Sequence, residues 1–270
     1  MSALDSRWDW YECTFDGADD GRVAPALALA LGGRIARGRG RNGYAFCEVV
    51  ERGDDALVQV YGHSARLGEV HVSVSSESCD DVVPLLRRLY PEHRVSRADS
   101  SVDFGADFDQ LDARVLAFAN DRGLTHRLIT NSDGGATRYV GSDRSEVMMR
   151  LYKKSEQLRA LHPEKSSDIP DGIVRFELQV RPSKRRFKEI LGRAAPDDVW
   201  GFSEWSGDLA QMILSIESER VPTHFRRPSD WARAVHYLGV QYGPMAQKRA
   251  ELVGVDQAAR ELLIALGLRS

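Results

Sequence analysis

The chain has 270 residues, of which 42% are hydrophobic and 29% are charged, and its formal net charge at pH 7 is −3. This composition is ordinary for a soluble globular protein, and the length allows one large domain or two small ones. The near-neutral charge argues against a protein that coats nucleic acid without selectivity.

Nothing near the N-terminus predicts a membrane or export segment. The longest apolar stretch there, residues 23–33, is interrupted by Pro25 and follows no basic leader. It is too short to span a bilayer and lacks the form of a secretory signal. The three cysteines are widely spaced and form no Cys-x-x-Cys pair. They predict reduced thiols in a cytoplasmic protein, not a disulfide framework or a zinc site.

The first half of the chain is predicted to mix strands with helices. Aromatic and β-branched residues in alternation predict five strands, at residues 8–15, 43–50, 56–61, 69–75 and 95–104. Apolar residues at helical spacing predict three helices, at residues 23–31, 80–90 and 108–122. Asp80 is a candidate N-cap for the second helix, which Pro91 ends, and Gly123 ends the third.

The second half predicts further strands and then only helices. Residues 124–130 and 136–140 flank the turn sequence Asn-Ser-Asp-Gly-Gly, a hairpin signal. Strands follow at 148–154 and 173–181, with a mobile loop predicted at 161–172 between them. After Pro182 the spacing is helical, at residues 183–191, 204–218, 229–238, 244–253 and 256–266.

The predicted elements indicate an α+β fold. Strands joined by hairpins and mixed with helices favour a central, mostly antiparallel sheet with flanking helices. We predict an α+β domain at residues 1–200 and a small helical subdomain at residues 201–270.

Three predicted strands carry polar residues on one face. Side chains alternate along a strand, so residues two apart share a face. The three polar rows are Arg97, Asp99, Ser101 and Asp103; Arg150, Tyr152 and Lys154; and Arg175, Glu177, Gln179 and Arg181. Such charges are costly to bury unless they are paired or bind a metal ion. If the strands adjoin, carboxylates, guanidinium groups and a phenol share one surface.

A surface of this kind suits phosphoryl transfer on nucleic acid. The phenol of Tyr152 can attack phosphorus and form a covalent intermediate, and Lys153 and Lys154 favour the phenolate. Carboxylates such as Asp99 and Glu177 can hold a divalent cation that polarises the phosphate, and arginines can clamp its oxygens. Structural roles stay open, because a half-buried tyrosine and simple arginine–carboxylate pairs would give the same pattern.

Basic and glycine-rich segments supply candidate DNA contacts. A loop predicted to bind the DNA backbone contains Arg34, Arg37, Arg39 and Arg41, and the helix after the last strand contains Lys184, Arg185 and Arg186. The turn at Gly141 and Ser142 can present backbone N–H groups to a phosphate. Each of these segments is also compatible with an ordinary solvated surface.

Four motifs in order resemble the replication initiation factor family. They are R-x-D-x-x-x-D-F at residues 97–104, Y-x-G-S-x-x-S at 139–145, R-x-Y-x-K at 150–154 and R-x-E-L at 175–178. This family comprises rolling-circle initiators of plasmids and filamentous phages and relaxases of some conjugative elements. The resemblance covers roughly residues 90–181. It departs from the family at Lys153, where aspartate is frequent, and the chain has no His-hydrophobic-His motif.

The resemblance implies a nicking-closing endonuclease fold and a tyrosine nucleophile. The family tyrosine matches Tyr152, which would stay joined to the 5′ phosphate and leave a 3′ hydroxyl for a polymerase. The acidic positions match Asp99 and Glu177, with Asp103 as a further candidate, and the all-carboxylate set favours Mg²⁺ or Mn²⁺. Residues expected to bind phosphate or tune the tyrosine are Arg97, Arg150, Lys154 and Arg175.

The expected function is therefore a metal-dependent, site-specific DNA endonuclease and strand transferase that initiates rolling-circle replication. Its expected partners are origin DNA, single-stranded or in a hairpin, and a host helicase and polymerase; a homodimer stays open. One alternative is a non-catalytic origin or single-stranded DNA-binding regulator on the same fold, for which Lys153 leaves room. Another is an RNA or nucleotide phosphodiesterase that uses the same acidic face.

Overall fold

The protein is described here by a computed structural model that covers residues 6–16, 20–64, 68–132, 134–214 and 230–265. The chain forms two compact units, Met1–Thr223 and His224–Ser270. The first unit is built on a ten-stranded antiparallel sheet with the order β2-β3-β4-β5-β1-β6-β10-β9-β8-β7. This sheet and its flanking helices confirm the predicted α+β class.

The strands follow the predicted positions closely. They are β1 Arg7–Asp16, β2 Arg34–Arg39, β3 Tyr44–Arg52, β4 Asp55–Ser64, β5 Glu69–Ser75, β6 Arg94–Gly105, β7 His126–Thr130, β8 Ala136–Val140, β9 Val147–Lys153 and β10 Ile173–Val180. The α-helices of this unit are α1 Asp20–Leu31, α2 Ser78–Leu89, α3 Phe108–Asp121, α4 Lys154–Leu161, α5 Arg185–Leu191 and α6 Glu204–Leu209. Two 3₁₀ helices, Pro163–Asp168 and Asp197–Phe202, and a π-helix, Ala210–Leu214, complete it.

One face of the sheet forms the hydrophobic core. Phe176 and Leu178 of β10 are fully buried on this face. Trp200, from the second 3₁₀ helix, is also fully buried and donates its indole N–H to Ser100 Oγ at 3.1 Å. Arg87 of α2 lies 5.7 Å from the ring of Trp8 on the same side. The apolar alternation predicted from the sequence therefore faces a layer of helices.

The opposite face carries the polar rows. Strand β10 lies between β6 and β9, so all three rows are neighbours. Glu177 is opposite Ser101 on one side and Arg150 on the other, and Arg175 is opposite Tyr152. Residues directly opposite each other in antiparallel strands project to the same face. The register thus gathers the predicted carboxylates, guanidinium groups and phenol on one surface.

Two local predictions in the first half of the chain differ from the structure. Arg34 to Arg39 form an edge strand rather than a loop, because β2 pairs along its length with β3. The chain turns only after this strand, at Asn42 and Gly43, which have φ of 55° and 88°. Asp80 lies in the first turn of α2, and the residue before that helix is Glu77, whose side chain forms no capping hydrogen bond.

The segment after β9 contains helices and specific hydrogen bonds where the sequence predicts a strand end and a mobile loop. Lys154 begins α4 instead of ending the strand. The predicted loop at 161–172 contains the first 3₁₀ helix. Ser155 Oγ donates to the carbonyl of Pro170 at 2.6 Å and accepts from the backbone N–H of Ile173 at 2.9 Å. These bonds tie the loop to α4 and to the start of β10.

The described part of the second unit, residues 230–265, contains two helices, α7 Asp230–Val253 and α8 Val255–Ala265. The predicted helices at 229–238 and 244–253 are one helix with Pro244 inside it. Arg249 and Glu261 join α7 to α8 through two bonds, of 2.9 and 3.0 Å. Residues 201–214, which the sequence grouped with the helical tail, belong to the first unit, where Phe202 and Leu209 are fully buried. Among the described helices, none is long and apolar enough to cross a membrane.

Candidate active site

An open cleft of about 520 Å³ lies on the polar face of the sheet. Its floor comes from β1, β6, β10, β9 and β8, and α4 forms part of its wall. The side chains that line it include Asp9, Trp10, Arg97, Asp99, Tyr139, Arg150, Tyr152 and Glu177. The volume is that of a pocket for a small molecule or a short piece of a larger ligand.

Tyr152 lines this cleft with only 9% of its surface exposed. Burial is the main cause that raises the pKa of its phenol above the ordinary value, and the charge of Glu177 adds to the effect. A hydrogen bond and the charge of Arg175 oppose it without reversing it. The sequence predicted that neighbouring cations would favour the phenolate. The chain's own groups instead keep the phenol protonated at neutral pH.

Lys154 stays beside the tyrosine although it belongs to α4. Its Nζ atom lies 5.9 Å from the centre of the Tyr152 ring and donates to Gln157 Oε1 at 2.8 Å. Burial, followed by the charge of Arg175, lowers the pKa of Lys154. The ammonium group is therefore easier to deprotonate than an exposed lysine.

Arg175 is held on two sides by carboxylates. Its Nη1 donates to Asp9 Oδ1 at 2.7 Å, its Nη2 donates to Asp103 Oδ2 at 2.6 Å, and its Nε also donates to Asp103. Burial would raise the pKa of Asp103, but the hydrogen bonds and charge of Arg175 outweigh it and lower that pKa. Arg175 is only 4% exposed, so its position beside Tyr152 is firmly fixed.

Asp99 is fully buried and is surrounded by donors. Arg97 donates from Nε to Oδ1 at 2.9 Å and from Nη2 to Oδ2 at 2.5 Å. Oδ2 also accepts from Arg150 Nη2 at 3.0 Å and from Gln179 Nε2 at 3.2 Å. A buried carboxylate needs this number of partners, because its desolvation costs several kcal/mol.

Glu177 lies next to Asp99 and shares a cation with it. The same Arg150 Nη2 that contacts Asp99 also donates to Glu177 Oε1. Burial is the main cause that raises the pKa of Glu177; the charge of Asp99 adds to it, and Arg150 lowers it. The Nε atom of Arg150 is buried and has no hydrogen-bond partner among the described residues. One guanidinium group thus bridges the two acids that the sequence assigned to a metal ion.

Three oxygen-bearing side chains lie around this bridge, namely Asp99, Ser101 and Glu177. Ser101, which is fully buried and lies opposite Glu177, has a hydroxyl without a hydrogen-bond partner among the described residues. With Asp99 and Glu177 it provides three hard oxygen donors. Among the described residues, no group of three or more His, Cys, Asp or Glu side chains is arranged to hold a metal ion. Mg²⁺ needs only one or two protein carboxylates when substrate phosphate and water complete its shell.

The structure does not bring Asp103 into this donor set. Asp103 lies four residues from Asp99 along β6, and an extended strand rises about 3.3 Å per residue, which places the two roughly 13 Å apart. Arg175 and Arg7 take its oxygens instead, and Arg7 Nη2 donates at 2.9 Å. Its contacts make Asp103 an anchor for Arg175.

The predicted DNA-contacting segments lie outside the cleft. Six strands separate β2, which carries Arg34, Arg37 and Arg39, from β9, which carries Tyr152. Arg41 donates to Gln59 at 3.0 Å and lies over the ring of Tyr61.

Four more of these residues lie elsewhere on the surface of the unit, namely Ser142 in the turn after β8, Lys184 before α5, and Arg185 and Arg186 in α5. Ser142 Oγ accepts from the backbone N–H of Arg144 at 3.2 Å. Arg185 donates to Glu189 at 2.8 Å.

Two cleft residues on β1 were missed by the sequence reasoning. Asp9 and Trp10 are consecutive, and simple alternation would place them on opposite faces. A register shift between Trp8 and Trp10 lets both line the cleft. Such a bulge aims two neighbouring side chains to one side. Trp-Asp-Trp in a strand gives no signal for a bulge, so this carboxylate could not be assigned from the pattern.

A comparison with solved structures agrees with this architecture. No protein-family model and no curated protein matches the chain. Among solved structures, it is similar to a rolling circle replication initiator protein from Geobacillus stearothermophilus, with 20% identity and a TM-score of 0.54. The match covers 83% of this chain and 91% of that one.

The chain has the fold of that initiator. At this level of identity the likeness concerns the backbone architecture alone. The chemistry of the cleft depends on its own side chains.

Proposed function

We propose that this protein initiates rolling-circle replication by nicking and rejoining one strand of origin DNA, with Tyr152 as the nucleophile. The observation that carries the proposal is the position of Tyr152. Its phenol lies in an open cleft, opposite Arg175 in the sheet and near Glu177, and the sheet resembles that of a replication initiator. A phenol, fixed guanidinium groups and paired acids are the parts that transfer of a phosphodiester needs.

The nicking step exchanges one bond to phosphorus for another. The Oη atom of Tyr152 forms a bond to phosphorus, and the bond from phosphorus to the 3′ oxygen breaks. The phenol loses its proton and the departing 3′ oxygen gains one, so protons and charge balance. The product is a 5′-phosphotyrosine and a free 3′ hydroxyl, from which a host polymerase can extend. Rejoining is the same exchange in reverse.

The residues around Tyr152 divide the work of this step. Arg175, fixed between Asp9 and Asp103, is placed to stabilise charge on the phenol oxygen and the phosphate. Lys154, whose pKa is lowered, is suited to donate a proton or a hydrogen bond beside the ring. Because the free protein keeps Tyr152 protonated, attack requires loss of that proton once DNA is bound.

Asp99, Glu177 and Ser101 are the residues that would hold Mg²⁺ or Mn²⁺. When bound, such an ion supplies positive charge that stabilises the phosphate oxygens during transfer. The raised pKa of Glu177 means that a bound cation would compete with a proton for this carboxylate. The proposed nicking should therefore require a higher concentration of the divalent ion in slightly acidic buffer.

The wider proposal follows from this chemistry. The substrate is origin DNA that is single-stranded or extruded as a hairpin, and a host helicase and polymerase act after the nick in a cytoplasmic replicon. Whether that replicon is a plasmid, a phage or a conjugative element served by a relaxase depends on the origin sequence. A homodimer would bring two such clefts to one origin.

The test is covalent capture of DNA. Incubation with a labelled single-stranded oligonucleotide carrying the origin, in the presence of Mg²⁺, should give a protein–DNA band that resists denaturation by detergent. Tyr152→Phe should lose this band while it keeps its affinity for the same oligonucleotide. Tyr139→Phe, which removes the hydroxyl of a neighbouring cleft tyrosine, serves as the matched control and should keep the band. An undiminished band from Tyr152→Phe would exclude Tyr152 as the nucleophile.

A non-catalytic regulator is the second candidate function. It is favoured by the dense pairing of charges around Asp99 and by the raised pKa of Tyr152. A regulator would bind the oligonucleotide on native gels and form no covalent band under any divalent ion. The same experiment therefore separates the two functions, and an RNA or nucleotide substrate in place of DNA tests the phosphodiesterase reading.

A further inference from the structure

Two aromatic side chains line the cleft from strands that lie on opposite sides of β9, the strand of Tyr152. Trp10 belongs to β1 and Tyr139 to β8, and Tyr152 lies on β9 between them. Neighbouring strands are about 4.8 Å apart, so the four spacings from β1 to β8 correspond to roughly 19 Å. Both rings are half-buried and both line the cleft. In strand order, the phosphate position proposed at Tyr152 therefore has one aromatic ring on each side, with Tyr139 level with Arg150 and Trp10 level with Asp99.

Each ring is paired with a guanidinium group that an acid holds in place. Arg97 lies 4.6 Å from the centre of the Trp10 ring and is bound by Asp99. The second pair has the same construction, because Arg127 lies 4.4 Å from the centre of the Tyr139 ring. Its guanidinium donates two bonds, of 2.9 and 2.8 Å, to Asp143.

The orientation of Trp10 is fixed by one more contact. Its indole N–H donates to Glu12 Oε1 at 2.9 Å. The Trp10 ring and the Arg97 guanidinium are thus positioned without any ligand, whereas the Arg127–Asp143 pair beside Tyr139 is exposed to solvent. Rigid aromatic surfaces of this kind bind flat partners with little loss of conformational entropy.

Unpaired nucleobases are the flat partners that match these surfaces. Bases stack on aromatic side chains and on arginine planes, and stacking tolerates any base because every base has a π-face. In a duplex those faces are already stacked on each other. The cleft of about 520 Å³ also has the size of a small-ligand pocket and not that of a double helix.

We infer that the Trp10–Arg97 and Tyr139–Arg127 pairs stack unpaired bases on either side of the scissile phosphate. The inference rests on the proposed function, because it takes the position of that phosphate from Tyr152. It predicts that the bound DNA strand runs across β1, β6, β10, β9 and β8. It also makes two residues responsible for the preference for single-stranded DNA.

The experiment measures binding without chemistry. Trp10→Ala and Tyr139→Ala are made in the Tyr152→Phe protein, and anisotropy gives its affinity for labelled oligothymidylate. A second probe is an abasic phosphodiester chain of the same length, which keeps the phosphates and lacks the bases. Each alanine variant should bind oligothymidylate about tenfold more weakly, since one stacked base is worth about 1–3 kcal/mol. Binding of the abasic chain should not change.

Three controls keep the result specific. Trp10→Phe and Tyr139→Phe retain a ring and should bind oligothymidylate within about twofold of the parent, in keeping with sequence-tolerant stacking. Trp205→Ala truncates a half-buried tryptophan of α6 outside the cleft and should leave both affinities unchanged. Thermal unfolding of every variant shows that the fold is kept.

The outcomes separate this inference from the proposed function. Equal losses on both probes, no loss on either, or no binding of oligothymidylate by the parent would each overturn base stacking at these rings. The nucleophile is judged independently, by the covalent band formed when Tyr152 is present. If the protein with Tyr152 forms the covalent band, and the alanine variants of the Tyr152→Phe protein bind oligothymidylate with unaltered affinity, the proposed function stands and the stacking inference is wrong.

Discussion

The cleft and the edge strand β2 hold arginines in opposite ways. At the cleft, Arg175 is 4% exposed and bonds the half-buried Asp9 and Asp103, and Arg97 is 18% exposed and bonds the fully buried Asp99. On β2, Arg34, Arg37 and Arg39 are exposed to solvent. An exposed cation has a small desolvation cost and is screened by salt. A buried cation has a large desolvation cost, so it needs acids held in fixed positions to compensate for it. Charge in the cleft should therefore govern chemistry, and charge at the edge should govern general affinity.

The largest effect should follow from Glu177→Gln. This change keeps the shape of the side chain and removes the charge proposed to hold the cation, so the rate of nicking should fall by at least about 10²-fold. Initial rates over a Mn²⁺ titration measure it. Glu156→Gln, which alters another acid of the cleft wall, is the control. An unaltered Mn²⁺ dependence would show that Glu177 does not hold the cation.

The next effect concerns stability, at Asp103→Asn. Loss of the charge that anchors Arg175 should lower the free energy of unfolding at pH 7 by about 2 kcal/mol. The folded-state pKa of Asp103 is lowered, so its contribution is present above the unfolded pKa, about 3.9, and is lost as pH falls through the folded value. Urea unfolding at a series of pH values should show the two proteins converging below about pH 4.

The exposed pair of Arg127 and Asp143 provides the comparison for that measurement. Asp143→Asn should have no measurable effect on unfolding, because solvent screens the pair. Equal losses from Asp103→Asn and Asp143→Asn would remove the distinction between buried and exposed charge in this sheet.

A smaller effect is expected from Arg150→Gln. This guanidinium bridges Asp99 and Glu177. Its positive charge would lie within about 4 Å of a divalent ion bound to the same acids, and such a repulsion amounts to several kcal/mol even at an effective dielectric constant of 20. Its removal should raise the affinity for Mn²⁺ by at least about tenfold in calorimetry without DNA. Arg127→Gln is the control. A weaker affinity in Arg150→Gln would indicate that Arg150 organises the acids instead of competing with the ion.

The smallest effects should come from Arg37→Gln and Arg39→Gln on the edge strand. Each should weaken DNA binding only severalfold and reduce the slope of log affinity against log salt by about 0.7 to 0.9, as for one phosphate contact. The rate of nicking at saturating DNA should stay constant. Arg34→Gln, whose side chain pairs with Glu51 at 3.1 Å, should change the slope less. A changed saturating rate would place β2 in the catalytic machinery.

Much of the central sheet is readable from the sequence because alternation is a local signal. The rows on β6, β9 and β10 follow from period two, and their adjacency places Glu177 next to Asp99 on one side and diagonal to Tyr152 on the other. The initiator fold also agrees with the resemblance carried by four short motifs. What period two cannot reveal is a bulge, so Asp9 was missed. It also cannot reveal where β9 gives way to α4, which moved Lys154 off the strand.

The partners of each charge were less predictable than its position. Asp99 and Glu177 were expected beside arginines or a metal ion, and both alternatives were open. Which guanidinium bridges them depends on the sheet order, which places β10 between β6 and β9. The same holds for Asp103, which shares a strand face with Asp99 yet bonds Arg175 at the other end of the row. Such pairings are set by long-range register, which no local pattern contains.

The position of β1 has a consequence for how the molecule is assembled. This first strand pairs with β5 on one side and β6 on the other, so it joins the contiguous group β2–β5 to the contiguous group β6–β10. During synthesis on a ribosome, β1 stays unpaired until its partner strands β5 and β6, which end at Ser75 and Gly105, have been synthesised. Closure of this seam is a non-local event of the kind that slows folding. We expect amides of β1 to gain protection from hydrogen exchange late in refolding, after those of the hairpin β3–β4.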